Sequence, residues 1–296
     1  MKKLTGLGRV VACAMAVIGF AAEGFAQTRV VTTLLDACPT PPEGSLRAVL
    51  AACDDGDVIT FDSLLAGGVL KIALNGQRDN VIPIPKAVKI DGAGVITIDG
   101  SRPVSGGDSG SRVFEILETA NGTTEICGIH FQNSQGRGWS SGNISYQSSC
   151  IHALAPLYLH DCDFKSCVYS TSPNEANGRD SASDVPTGST IRSVADLRIE
   201  DCQFENCWSA GGIQNGGIFT AGENLTVKRC TFKKVSGGSY SGVFWLDKRM
   251  VNGLIEDCVA EDCNAYRGGF IYPPAISHRN TRCVDRAGKY FLEYAA

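Results

Sequence analysis

Four stretches of the chain follow one template: LYLHDCDFKSC (157–167), LRIEDCQFENC (197–207), LTVKRCTFKKV (225–235) and GLIEDCVAEDC (253–263). Each reads as an alternating apolar pair, two polar residues, then Cys, with Phe two residues later in the first three and a second Cys five residues on in three of the four. Cys162, Cys202, Cys230 and Cys258 are spaced by 40, 28 and 28 residues, and Cys283 follows 25 later. Self-similarity at such a period marks a stacked repeat array. Alternation within the repeat is a strand signal, so the stack is expected to be an all-β solenoid. Residues i and i+2 of a strand share a face. Cys162, Cys202, Cys230 and Cys258 should therefore point inward beside Phe164, Phe204 and Phe232.

A second strand recurs before the repeats: SCIHAL (149–154), GGIFTA (216–221), SGVFWL (241–246) and GGFIYP (268–273). With Gly- or Asn-bearing turns between strands, 25–28 residues per coil suit a three-sided coil at about 3.3 Å per residue. TEICGIHFQNS (124–134) is a degenerate copy, with Ile129 in the Cys position and Phe131 in the Phe position. Upstream, VKIDGAGVITIDGSRPVSGGDSGSRVFEI (88–116) carries short strands with two Ile-Asp-Gly turns, where Asp91 and Asp99 are expected to bond their own backbone. A polar insertion at 169–190 accounts for the one long spacing, and a loop on a rigid stack is a usual place for recognition.

Lys2, Lys3 and Arg9 precede an apolar run from Val10 to Ala22, with Gly24 and Ala26 after it. That is the pattern of a signal peptide, residues 1–26, so the chain is expected to be secreted. Beyond it no apolar stretch is long enough to span a bilayer as a helix. GSLRAVLAACDDGDVITFD (44–62) reads as a short helix, capped by Ser45, then a strand. A solenoid end exposes unpaired backbone, so residues 27–62 are expected to cap it and 63–296 to form the β-helix proper. With 31 acidic and 27 basic residues and no basic block, nucleic acid is not an expected partner.

Twelve cysteines follow residue 26. Cys38 and Cys53 bracket the helical segment and are the expected disulfide of an exported chain. For the repeat cysteines two readings stand open: a ladder of reduced, buried thiols, or the pairs Cys162–Cys167, Cys202–Cys207 and Cys258–Cys263. The spacing is wider than a usual zinc motif and no histidine accompanies it in register, so neither metal nor cofactor is expected.

The runs EGSLRAVLAACDDGDVITFD, VKIDGAGVITIDGS, RVFEI and ICGIHFQNS together resemble bacterial right-handed parallel β-helix proteins. More narrowly, they are similar to exported chains of the polymorphic outer-membrane-protein type, which open with a Cys-Ser-Leu-Arg-Glu-Ala-like motif. Here that motif is altered to Gly44-Ser45-Leu46-Arg47-Ala48-Val49. The resemblance spans most of residues 38–290 and implies a right-handed parallel β-helix at the cell surface or outer membrane. It implies no one activity, because the architecture hosts adhesins, passengers, lyases and glycosidases alike. Such chains often end in a barrel or sorting domain; none is recognised after Cys283, so a released protein or a truncated piece is expected.

Function should show at outward positions. One column reads His160, Glu200, Lys228, Glu256 and the next Asp161, Asp201, Arg229, Asp257. Their alternating signs suit structural ion-pair ladders, each exposed pair giving about 0.2–1 kcal/mol. The motifs of pectin hydrolases are missing. His152 is expected to face outward near Glu115, which makes these two the catalytic candidates. Trp245 and Tyr272 lie on equivalent strands and form an aromatic strip for sugar rings if they face out. The expected function is non-catalytic and adhesin-like, presenting a strand face to an extracellular glycan or cell-surface partner. The alternative is a polysaccharide lyase or glycoside hydrolase, and end-to-end self-association is a third option.

Overall fold

The computed structural model describes residues 26–74, 80–102, 110–137, 148–170, 189–209, 217–237, 242–246, 250–264, 271–272, 277–279 and 282–284. Residues 1–25, nearly all of the segment expected to be a signal peptide, most of the 169–190 insertion and the residues after Val284 lie outside them.

Strands pair in parallel, each with its counterpart one coil away. Leu157–His160 lies between Thr124–Gln132 and Leu197–Glu200, and the series continues through Asn224–Lys228 to Asn252–Glu256. The described strands form sheets of fifteen, seven and three strands that wall a common interior. This is a parallel β-helix. Parallel strands with both coil neighbours present bury an apolar row on one side only, which is why the repeat alternates rather than running continuously apolar.

The conserved spacing inside each repeat is explained by its corners. Asp161, Asp201, Arg229 and Asp257 all have φ between 52° and 54°, and Ser166, Asn206, Lys234 and Asp262 form a second left-handed column. Asp and Asn tolerate this region better than most residues, and Gly128 (φ 61°) holds the first corner in the degenerate copy. A Cβ on Gly128 would lie 2.6 Å from the backbone nitrogen of Gly94, so that corner also needs glycine for space. The residues read from the sequence as an outer charge column, Asp161, Asp201, Arg229 and Asp257, are thus corner residues first.

After each corner the chain turns a Cys inward. Cys162, Cys202, Cys230 and Cys258 are at most 1% exposed. Each Sγ reaches the carbonyl two residues back, at 3.2 Å to His160, Glu200 and Lys228 and 3.3 Å to Glu256. A small side chain with a weak donor fills the bend and satisfies a carbonyl there. Phe131, Phe164, Phe204 and Phe232 stack with centroids 4.9, 4.7 and 4.9 Å apart, matching the strand spacing. Phe114 and Phe244 meet the two ends of this stack edge-on.

The cysteines within a repeat belong to separate columns and are free thiols, Cys162 and Cys167 included, as are Cys202 and Cys207, and Cys258 and Cys263. Nor is the expected Cys38–Cys53 bridge formed. Cys53 is a free thiol, 5% exposed, whose Sγ reaches the Leu50 carbonyl at 2.9 Å. Its place on the buried face of the helical turn gives it a packing role instead.

A six-residue helix, Leu46–Ala51, begins at Ser45, whose side chain accepts from the Ala48 amide. Its Arg47, 9% exposed, bonds Asp36 at 2.8 and 3.0 Å and the carbonyls of Val81 and Asn80 at 2.8 and 2.7 Å. A buried guanidinium is tolerable only when its donors are met in this way. Among the described residues, no helix is long and apolar enough to cross a membrane.

Candidate functional site

Two polar groups stand on the outer faces of the coils, each built around a histidine and a glutamate of the preceding coil. On the seven-stranded sheet, Glu115 and His152 are register partners, and Arg192 follows His152 in the next coil. The alternate residues Phe114, Ile151 and Ile191 enter the core, so strand alternation turns this column outward. His152 Nδ1 lies 3.4 Å from Glu115 Oε1, and Arg112 Nη1 donates to the same oxygen at 3.3 Å.

The surroundings decide protonation here. Burial holds the His152 ring below its ordinary value, with Arg112 and Arg192 adding to the effect against the pull of Glu115. A neutral ring donates through Nδ1, which lowers the Glu115 carboxyl to about 2, assisted by Arg112 against its burial. That tautomer leaves Nε2 as an acceptor. Among the described residues Nε2 is buried without a partner, as is the hydroxyl of Tyr169, whose phenol burial pushes up to about 12.

The second group lies on the long sheet. One outward column runs Lys89, Glu125, Tyr158, Arg198, and the next runs Asp91, Cys127, His160, Glu200, Lys228, Glu256. Lys89 Nζ is 2.8 Å from Glu125 Oε1, and His160 Nε2 is 3.1 Å from the same atom. His160 Nδ1 is held by Asp161 at 2.7 Å. Although burial opposes the charged ring, bonds to Asp161 and Glu125 raise the His160 pKa. Burial, with Asp91 beside it, pushes the Cys127 thiol up to about 12.

Further along, Arg229 bonds Asp201 through Nε and Nη2, both at 2.7 Å, and reaches Glu200 at 3.2 Å. Lys228 pairs with Glu256 at 3.0 Å. Glu200 also takes Arg198 Nε at 2.9 Å and the Tyr158 hydroxyl at 3.4 Å. The Arg198 guanidinium lies 4.3 Å from the centre of the Tyr158 ring, and the His160 ring is 4.7 Å from it. These residues form a continuous polar and aromatic surface, with Arg198 53% and Arg229 48% exposed.

One half of the expected aromatic strip is covered. Trp245 and Tyr272 are register partners in the column of His152 and Arg192, but Trp245 is only 7% exposed. It offers no open face to a sugar. The side chain of Tyr272 lies outside the described residues. Asp91 and Asp99 accept from the amides of Ala93 and Ser101, at 2.8 and 2.7 Å, so both are occupied in their own turns.

Sequence reasoning singled out neither Tyr158 nor Arg198, nor Glu125 or Cys127. The signal was present: these are the outward positions two and four residues before the inward Cys position of each repeat.

No protein-family model matches this chain, and no curated protein does. Among solved structures it is similar to the crystal structure of pectate lyase Pel9A, with 14% identity, a TM-score of 0.28, and coverage of 82% of this chain and 70% of that one. At that level the match assigns neither activity nor substrate.

Proposed function

We propose that the protein is an exported, surface-associated or secreted β-helix of the polymorphic outer-membrane-protein type that binds a carboxylate-bearing extracellular polysaccharide without turning it over. The observation that carries the reading is the Tyr158–Arg198 pair: a ring and a 53% exposed guanidinium stacked on an outward strand face. Sugar rings lay apolar faces on aromatics, and Arg matches carboxylates in a fork geometry. The acidic side chains around it favour binding over catalysis. Glu125, Glu200, Asp201 and Glu256 are each held by a cation, which leaves none of these four poised as an acid or base. In this reading residues 27–62 close the first coil, residues 1–26 direct export, and the long face is the adhesive surface.

A second reading, a polysaccharide lyase or glycoside hydrolase, is favoured by one observation: the Nε2 of a neutral His152 beside Glu115, which has no partner among the described residues. A buried acceptor without a donor is unusual in a finished structure and is frequent where a base works.

One experiment separates the two. The purified chain is incubated with acidic and neutral polysaccharides while co-sedimentation and new unsaturated or reducing ends are followed. Retention on acidic polymers alone, weakened about tenfold (~1.4 kcal/mol) by Tyr158→Ala or Arg198→Ala, is the expected result. New chain ends that vanish in His152→Ala replace it with the second reading. Retention unchanged in both surface variants removes the long face from consideration.

A further inference from the structure

The Glu125–Cys127–His160 group lies beside the Tyr158–Arg198 pair on the same long face, and it carries an inference that rests on a separate observation. Glu125 and Cys127 are alternate residues of one strand, and His160 is the register partner of Cys127 in the next coil. One donor atom from each, a carboxylate oxygen, Sγ and an imidazole nitrogen, lies within 4.8 Å of the others. An ion bound tetrahedrally at about 2.0–2.3 Å from such ligands needs donor separations of about 3.3–3.8 Å, so small side-chain adjustments close the set.

We propose that Glu125, Cys127 and His160 form a binding site for a divalent cation of the zinc class. Three protein ligands leave one position for water, the pattern of an open rather than a purely structural site. Thiolate and imidazole together select against magnesium and calcium, which take oxygen ligands.

A second observation points the same way. Asp161 holds Nδ1 of His160 at 2.7 Å, so Nε2 is turned toward Glu125 Oε1 at 3.1 Å. With the Nδ1 proton committed to Asp161, Nε2 and a carboxylate oxygen face each other as two acceptors. Either a second proton on the ring or a cation between them resolves that contact. An acidic residue on the far nitrogen is also the usual outer-shell partner of a metal-bound histidine, where it fixes tautomer and orientation.

Lys89, whose ammonium sits 2.8 Å from Glu125 Oε1, competes for the same oxygen. Metal binding displaces that ammonium, takes the Cys127 thiol to thiolate and releases to solvent the thiol proton together with any proton held on His160 Nε2. Cys127 is 5% exposed and the His160 side chain 20%, so a hydrated ion approaches from the histidine side.

The test uses Co2+ as the probe on the full reduced chain, because a thiolate–cobalt bond adds a near-ultraviolet charge-transfer band that zinc does not show. The expected result is saturation at one equivalent, with the band abolished in Cys127→Ser and affinity lowered at least tenfold in His160→Gln. Asp161→Asn, which leaves all three ligands in place, should weaken binding about 10–100-fold. Lys89→Ala should tighten it, an effect that a merely destabilised variant cannot produce. Zn2+ should displace the cobalt and erase the band. Absence of a thiolate band in the wild-type chain overturns the proposal. So does a band that persists in Cys127→Ser, which would place the ion on another thiol.

Discussion

His152 and His160 are each paired with a glutamate one coil upstream, yet they are driven in opposite directions. His152 is buried between Arg112 and Arg192 and its pKa is lowered; His160 sits at the surface between Asp161 and Glu125 and its pKa is raised. The same two residue types on the same scaffold thus disfavour the imidazolium on one wall and favour it on the other. A repeat fold achieves this because the coil fixes position while the outward residues of neighbouring coils set the field for one another.

The largest perturbation removes what the two walls share. Phe204→Ala opens a gap in the inner ring stack and should cost about 3–5 kcal/mol in chemical denaturation. A loss below about 1 kcal/mol would mean that the stack collapses around the gap and that the walls are held by backbone pairing instead.

Next is the glutamate pair itself. Glu115→Ala takes an acceptor from a guanidinium that is 6% exposed and from His152, and should cost about 1–3 kcal/mol. Glu125→Ala, on the 30% exposed counterpart, should cost no more than about 1 kcal/mol after solvent screening. Equal losses would erase the distinction between a buried and an exposed wall.

Titration sharpens the contrast further. His152 has a lowered folded pKa, so its contribution to stability is present above its ordinary value and is lost as pH falls through the folded value. Glu115, lowered to about 2, adds a second acid-side loss between about pH 4.5 and 2. His160 is raised, so its contribution is full below its ordinary value and fades as pH rises through the folded value. Ring-proton NMR should resolve two titrations on opposite sides of about pH 6.5. A common midpoint would refute the assignment of both environments.

The smallest effect belongs to the exposed ladder. Arg229→Asp places a third carboxylate against Glu200 and Asp201, and should lower Tm by an amount that added salt recovers. A drop indifferent to salt would trace instead to the left-handed corner that residue 229 occupies.

Much of the architecture was legible because its period is written into the chain. The Cys–x–Phe spacing placed Cys162 and Phe164 on one inner face, and aligning Ile129 and Phe131 with them put the 124–134 segment in register. That same alignment already set Cys127 beside His160. The juxtaposition went unread because attention followed conserved-looking positions, and an outward site is made of residues that break the template. The Glu115–His152 adjacency was also readable, from strand alternation alone.

Other features were beyond the sequence for physical reasons. Arg229 does pair with Asp201 and Glu200 as the charge ladder expected, but the left-handed corner that it shares with Asp161 is a backbone feature that no composition reveals. Trp245 was readable as outward yet not as covered, because burial depends on what else packs over a face. Cys38 and Cys53 satisfied every sequence criterion for a bridge, and the thiol of Cys53 instead points at its own helix. The sequence by itself determined the coil, its inner columns and the stacking partner of each repeat position, since all three follow from periodicity. Only the tertiary structure decided which outward groups are charged, which are neutral and which converge on a common point, because those properties arise from distances between coils and from access to water.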